Sequence, residues 1–135
     1  MLLCDYAEEL GGKLYIMGGG WSVLQTPNVP SNVYIAIKLA VPWSQANEQH
    51  DIAIRLLTED GELVHSEGPE GKNDVQLVGK VEVGRPPGLR PGTSLDLPLV
   101  AGFQGLVLLP GGYLWSLEID ETPLATTPFR VREMQ

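Results

Sequence analysis

The stretch from Val33 to Val41 reads Val-Tyr-Ile-Ala-Ile-Lys-Leu-Ala-Val, and a large apolar side chain stands at every second position. Successive side chains on a β-strand point to opposite faces of the sheet, so this period of two predicts a strand with one buried face. The same alternation recurs in Tyr113-Leu-Trp-Ser-Leu-Glu-Ile119. We therefore expect an all-β protein whose strands share one core.

Turn-forming residues separate the apolar runs along the whole chain. The 16 glycines and 11 prolines are distributed between the short apolar runs, which is typical of many short strands joined by turns. Helix signals are scarce, so antiparallel pairing is favoured over parallel strands with helical crossovers. We predict one domain over residues 1–135, an antiparallel β-sandwich of about eight to ten strands. A closed β-barrel is the alternative, because it also buries one face of every strand.

Two details of strand pairing follow from the pattern. Residues 50–58 alternate with the parity opposite to that of residues 32–41, and we expect these two strands to be neighbours in one sheet. The dipeptide Asp60-Gly61 predicts a hairpin with a type I′ turn, in which both central residues have positive φ. The chain after this turn is expected to pair back on the preceding strand.

The second half of the chain contains a predicted loop and two predicted strands. The polar residues 67–74 predict the loop. Residues 93–100 and 105–109 predict two separate strands. Because proline cannot donate to the ladder, Pro98 places the end of the first strand at a sheet edge or at the point where the chain leaves the sheet.

The negative net charge of the chain limits the kinds of partner that it can bind. The chain has 17 acidic and 9 basic residues and a net charge of -8, which repels phosphate backbones and anionic lipids over a Debye length of about 10 Å. We predict no nucleic-acid partner and no membrane partner. The loop from Gly84 to Gly92 is locally basic through Arg85 and Arg90. We interpret it as a solvated loop and keep both arginines as binding candidates.

Cysteine content and the beginning of the chain predict a compartment. The single cysteine, Cys4, excludes an intramolecular disulfide and indicates a buried, reduced thiol. The first residues lack a basic segment followed by an apolar one, so no signal peptide is expected. The apolar runs are shorter than the roughly 20 residues of a membrane helix. We predict a soluble, cytoplasmic protein.

Residues with catalytic or metal-binding chemistry are few. His50 opens a strand beside Asp51, but no nucleophile motif accompanies it, and we interpret it as a surface histidine at a strand end. One cysteine and two separated histidines do not supply a zinc site. We therefore expect no enzymatic activity, no metal and no cofactor.

An alternative function is a small-ligand module. Trp43 follows Pro42 in a predicted loop, and acidic residues such as Asp60 and Asp120 lie at predicted strand ends. Exposed tryptophan stacks on sugars, and carboxylates bind calcium, although no Asp-x-Asp-x-Asp run is present. This alternative predicts carbohydrate or calcium binding at the loops of Trp43, Asp60 and Asp120.

Several motifs together resemble a family of small uncharacterised bacterial proteins associated with actinobacteria and their phages. They cover nearly the whole chain: Leu3-Cys-Asp-Tyr-Ala-Glu8, Gly12-Lys-Leu-Tyr-Ile-Met-Gly-Gly-Gly-Trp21, Val41-Pro-Trp43, Glu59-Asp-Gly61, Gly84-Arg-Pro-Pro-Gly88 and Leu109-Pro-Gly-Gly-Tyr-Leu-Trp115. The resemblance implies a free-standing bacterial domain of unknown function, and it carries no activity, cofactor or catalytic residue to transfer.

The main functional hypothesis is a non-catalytic module that binds a protein partner or forms a homo-oligomer. It depends on apolar residues on the faces turned away from the predicted core, namely Tyr34, Ala36, Ala40 and Leu114, because such patches often mark interfaces. The candidate residues for binding loops are Trp43, His50, Arg85 and Arg90.

Overall fold

The structure, a computed structural model, describes residues 1–25, 27–68 and 71–133. Eleven strands and one short 3-10 helix make up this part of the chain, so the predicted all-β class is confirmed. The strands are β1 (Leu2–Leu10), β2 (Lys13–Gly19), β3 (Val23–Leu24), β4 (Ser31–Val41), β5 (His50–Thr58), β6 (His65–Gly68), β7 (Gly71–Asp74), β8 (Gln76–Val81), β9 (Leu95–Leu106), β10 (Gly111–Ile119) and β11 (Thr122–Val131).

The strands form two main sheets. The first sheet has the order β2-β1-β4-β9 and the second has the order β3-β11-β10-β5-β8, while β6 and β7 pair only with each other. Pairing is antiparallel except between β11 and β3. Each main sheet ends in an edge strand on both sides, so the fold is the predicted sandwich and not the alternative closed barrel.

The core lies where the two sheets face each other. Most alternating positions that the sequence predicts to be buried are buried, and Trp115 and Leu56 have no exposed surface. Val41, Tyr113 and Ile119, at strand ends, are half-buried. Five aromatic rings meet there. Phe103 and Phe129 lie 4.7 Å and 6.4 Å from Trp115 between centroids, Trp21 is edge-on to Phe129 at 6.0 Å, and Tyr113 is stacked on Phe129 at 5.5 Å. The buried apolar row of β4 consists of Val33, Ile35, Ile37 and Leu39.

The prediction that β4 and β5 are neighbours in one sheet is wrong. β4 pairs with β1 and β9, whereas β5 pairs with β10 and β8 in the opposite sheet. The 3-10 helix Trp43–Gln45 lies in the connection that carries the chain from one sheet to the other. Both strands bury one alternating row against the same core, and periodicity alone does not distinguish facing strands from adjacent ones.

The hairpin after β5 is shorter than predicted. The Thr58 N–H donates to the Glu62 carbonyl and Leu57 forms an isolated bridge with Leu63, so the chain does return along β5. Gly61 has a φ of 82°, whereas Asp60 is not among the residues with positive φ, so the turn is not type I′.

Two segments differ from the predicted loops and strands. Residues 65–68 and 71–74 form β6 and β7, so strands occupy most of the loop predicted over 67–74 and the two residues before it. Residues 69 and 70 between the two strands lie outside the described part of the chain. The strand predicted over 93–100 continues to Leu106 as β9, so the second strand predicted over 105–109 does not form, and residues 107–109 lie outside any strand. β9 is an edge strand, so the edge is the correct one of the two positions predicted from Pro98.

A second, smaller apolar cluster lies on the outward face of the first sheet. The ladder between β1 and β2 is interrupted at Gly18, which has a φ of 61°. Beyond this point the β1–β2 hairpin packs over the sheet, because its Ala7 and Leu14 contact Cys4 and Ala36. The hairpin therefore covers part of the face that the sequence predicts to be an open apolar patch.

The four residues of that predicted patch have different surroundings. Ala36 is buried beneath the hairpin and Tyr34 is half-buried beside it, while Leu114 is half-buried on the second sheet. Only Ala40 is exposed. Within the described residues, no helix is long and apolar enough to cross a bilayer.

Candidate functional site

A cleft opens at one end of the sandwich, between the ends of the two sheets. Its volume is about 400 Å³, within the range of small-molecule sites. The lining is mostly apolar, and its polar groups come from Gln45, His50, Glu82, Asp120 and Thr122. The apolar lining consists of Leu39, Ala40, Val41, Pro42, Val81, Val83, Leu97, Ile119 and Leu124.

His50 and Asp120 form the polar rim of this cleft. His50 Nδ1 lies 2.7 Å from Asp120 Oδ2, and His50 Nε2 lies 3.2 Å from the Gln45 carbonyl oxygen. The other carboxylate oxygen of Asp120 accepts a 2.8 Å hydrogen bond from the Asp51 N–H. The hydrogen bond to Asp120 raises the pKa of His50, and the same bond lowers the pKa of Asp120. The pair thus favours an imidazolium beside a carboxylate.

The surroundings of His50 define what it can do chemically. Both of its ring nitrogens face acceptors, and only an imidazolium donates to both at once. A general base in nucleophilic catalysis needs one nitrogen directed at a hydroxyl or thiol. The contacts of His50 therefore indicate a structural role, in which its side chain links the start of β5 to the β10–β11 turn.

Trp43 and Arg85 form a second pair near the same end. The Arg85 guanidinium carbon lies 4.6 Å from the centroid of the Trp43 ring, and its Nη2 donates a 2.7 Å hydrogen bond to the Trp43 carbonyl. One face of the half-buried indole is thus occupied by the cation. Arg90 is exposed, and its carbonyl accepts a hydrogen bond from the Thr93 N–H. Trp43, Arg85 and Arg90 do not line the cleft.

The acidic residues do not converge as the calcium hypothesis requires. Asp60 follows the end of β5, whereas Asp120 lies beside its first residues, so the length of a strand separates them. Within residues 1–25, 27–68 and 71–133, no three His, Cys, Asp or Glu side chains are grouped to hold a metal ion.

The β1–β2 hairpin presents a feature that the sequence reasoning did not single out. Its outer strand exposes Tyr15, Ile16 and Met17, which are 53%, 40% and 68% exposed, beside a half-buried Leu14. The available signal was the run Leu-Tyr-Ile-Met itself. When both odd and even positions of a strand are apolar, apolar side chains lie on both of its faces. Both faces are then covered by other parts of the protein, or one of them forms an interface.

The backbone of β2 also has an open side. Gly11 and Gly12 have φ values of 59° and 79° and make a two-residue turn, so Leu10 and Lys13 are a hydrogen-bonded pair. Alternation along the ladder then directs the N–H and C=O groups of Leu14 and Ile16 away from β1. β2 is the last strand of its sheet, so these groups face outward. We call the outward side of Lys13–Met17 the β2 edge.

The other sheet edges carry features that discourage pairing with a foreign strand. β9 contains Pro98 and an exposed Lys38–Asp96 ion pair beside it, and β3 has only two residues. β8 carries Lys80, which pairs with Asp51 at 2.8 Å. Charge, proline and shortness are the usual protections of sheet edges. In β2 the central residues from Leu14 to Met17 have none of them.

Fold and surface together define an antiparallel β-sandwich protein with an apolar end cleft and an open edge strand. The family model described as "Family of unknown function (DUF6941)" matches residues 1–132. The chain belongs to this family, which confirms the expected membership of an uncharacterised family. No curated protein and no solved structure matches the chain. The bacterial origin stays a prediction.

Proposed function

We propose that this protein is a non-catalytic interaction module that binds a protein partner along the β2 edge. Binding is by strand addition, in which a partner strand forms main-chain hydrogen bonds with an open edge and side-chain contacts supply specificity. The observation that carries the proposal is the coincidence of open backbone groups at Leu14 and Ile16 with the exposed side chains of Tyr15 and Met17.

The energetics of the exposed side chains support this role. Fourteen large hydrophobic residues are exposed in the described part of the chain, and six of them lie on the β1–β2 hairpin: Leu2, Tyr6, Leu10, Tyr15, Ile16 and Met17. Burying apolar surface stabilises a complex by about 25 cal/mol per Å². The hairpin is thus the part of the surface where a partner gains most from contact.

Charge also favours this location. The chain carries a net charge of -8, but β2 contains one lysine, Lys13, and no acidic residue. A partner strand placed there meets no acidic side chain on β2 itself, and the nearest ones, Glu8 and Glu9, lie one strand further away on β1. We expect the partner strand to be apolar, and the cytoplasmic location predicted from the sequence remains part of the proposal.

Site-specific photo-crosslinking in the cells that produce the protein tests this function. A benzophenone amino acid is placed at Met17 on β2, and the matched control carries it at Val78 on the β8 edge, which is similarly exposed at 61% against 68%. We expect discrete protein adducts from position 17 and none of the same mass from position 78. Absence of adducts at position 17, or the same adducts from both positions, would contradict the proposal.

A second candidate function is small-ligand binding in the end cleft. Its volume of about 400 Å³ and its apolar lining with a few polar groups at the rim favour it. A ligand at 100 times its Kd stabilises the folded state by about 2.7 kcal/mol, so a thermal-shift screen of glycans and small apolar compounds detects it. The variant Val41→Phe enlarges a side chain of the core-facing row that lines the cleft, and it should lose the shift while remaining folded by circular dichroism. A shift that persists in this variant would contradict binding in the cleft.

A further inference from the structure

We infer that the partner at the β2 edge is a second copy of this chain, paired antiparallel about a twofold axis at Tyr15. This inference rests on the proposed function, because it assigns the occupant of the same edge. It is carried by three properties of β2: the positions of its open backbone groups, the side chains that the pairing brings together and the placement of its single charge.

The backbone positions select the register. Leu14 and Ile16 present their N–H and C=O groups to the edge, and they lie symmetrically on either side of Tyr15. A twofold axis at Tyr15 therefore places Leu14 opposite Ile16 of the second copy, and Ile16 opposite Leu14. Each of these two pairs exchanges two hydrogen bonds, which makes four in total. Gly18, with its φ of 61°, ends the regular strand beyond Met17.

A register centred on Ile16 is less favourable. It pairs Leu14 with Gly18 of the second copy, whose positive φ departs from the extended conformation that a ladder needs. The regular segment of the strand, Lys13–Met17, has Tyr15 at its centre. The Tyr15 register thus uses every regular residue of the edge.

The side chains are compatible with this register. Tyr15 lies directly opposite Tyr15 of the second copy in a non-hydrogen-bonded pair, where side chains approach most closely. The opposed pairs on the other face are Leu14 with Ile16, both apolar. Lys13 lies opposite Met17, so the two lysines are at opposite ends of the contact, and no like charges oppose each other although each chain carries -8.

The size of the contact predicts its strength. Two five-residue segments with a few exposed apolar side chains form an interface below roughly 1,200 Å², the lower limit for interfaces of standard size. We therefore expect a reversible dimer whose population rises with protein concentration.

Disulfide trapping tests the register. In the variant Tyr15→Cys, two cysteines in a non-hydrogen-bonded antiparallel pair have Cα atoms about 4.5 Å apart, within the range of disulfides. In the control Ile16→Cys the two Cα atoms are more than about 7 Å apart, too far for a bridge. The wild type, whose only thiol is the buried Cys4, controls for native cysteine.

We expect Tyr15→Cys to form covalent dimers under mild oxidation at least about tenfold faster than Ile16→Cys. Circular dichroism and thermal unfolding verify that each variant is folded, since both residues are partly exposed. Equal rates in the two variants, or no dimer in either, would overturn the self-pairing. In that case adducts with other proteins from position 17 would still support the proposed function, whereas their absence would remove both.

Discussion

The ring of Tyr6 on the β1–β2 hairpin lies edge-on against the ring of Tyr34 on β4, with 5.0 Å between centroids and 62° between planes. Tyr34 is paired with Gly102 on β9, and a Cβ at Gly102 would lie only 2.7 Å from the Tyr34 ring, so the glycine leaves room for it. This contact holds the hairpin on the outward face of the first sheet and fixes the position of the β2 edge.

Removing the Tyr34 ring should weaken the attachment of the hairpin. We expect Tyr34→Ala to lower the free energy of unfolding by about 2 kcal/mol, because a half-buried aromatic side chain and its ring contact are lost. Urea denaturation at low protein concentration measures this change. The control Tyr15→Ala, on the exposed side of the same hairpin, should change stability by less than about 0.5 kcal/mol. Equal losses in both variants would contradict the packing described for Tyr34.

The His50–Asp120 pair predicts a pH dependence of stability. The pKa of His50 is raised above its ordinary 6.5. The contribution of protonated His50 to the free energy of unfolding is therefore complete below pH 6.5, and it is lost as the pH rises through the raised pKa. The pKa of Asp120 is lowered below 3.8, so its contribution is present above that value and is lost as the pH falls through the lowered pKa. The pair therefore stabilises the fold most between these two ordinary values.

An NMR titration of the His50 ring tests this pair directly. We expect Asp120→Asn to lower the pKa of His50 toward its ordinary value, because the carboxylate that favours the imidazolium is gone. Asparagine tolerates the φ of 50° at position 120, so the turn is retained. An unchanged His50 titration in this variant would show that the hydrogen bond to Asp120 does not control the charge of the ring.

The hairpin turn offers a stabilising substitution. Gly11 has a φ of 59°, and nothing lies within 4 Å of a Cβ built on it. Asn adopts this conformation readily at the first position of a type I′ turn, so Gly11→Asn should raise the free energy of unfolding by about 0.4–1 kcal/mol through the unfolded state. Gly11→Val, which is strained at positive φ, should lower it. A midpoint of urea unfolding that moves the same way in both variants would argue against this turn geometry.

Charge reversal at the twofold axis tests self-association in solution. In the predicted register Tyr15→Lys places two lysines directly opposite each other, and Tyr15→Glu does the same with two carboxylates, which destabilises cross-strand pairs. We expect each variant alone to be monomeric by sedimentation at concentrations where the wild type dimerises. An equimolar mixture of the two should dimerise again. A mixture that stays monomeric would count against the Tyr15 register.

The sequence was informative where local pattern decides structure. Alternation at Val33, Ile35 and Ile37 predicted a one-faced strand, and Pro98 predicted an edge, because both signals depend only on side-chain periodicity or on a missing donor. The placement of β4 and β5 in opposite sheets was not predictable in the same way. A strand's pattern reports that one face is buried, but not which strand covers it.

Features that depend on distant contacts were also missed. His50 and Asp120 are 70 residues apart in sequence, and nothing local to either residue predicts their contact. β6 and β7 are polar and lack the apolar alternation that identifies a strand. The hairpin folds over its own sheet because of an interruption of the ladder at Gly18, so Ala36 is buried although its face was expected to be open.

Amide hydrogen exchange along β2 is the most direct measurement of the open edge and its partner. The N–H groups of Tyr15 and Met17 point toward β1, so we predict slow exchange for them at all protein concentrations. The N–H groups of Leu14 and Ile16 point outward, so we predict fast exchange in dilute protein and slow exchange in concentrated protein. Slow exchange of Leu14 and Ile16 in dilute protein, or fast exchange at every concentration, would contradict an edge that is open in the monomer and closed by a second copy.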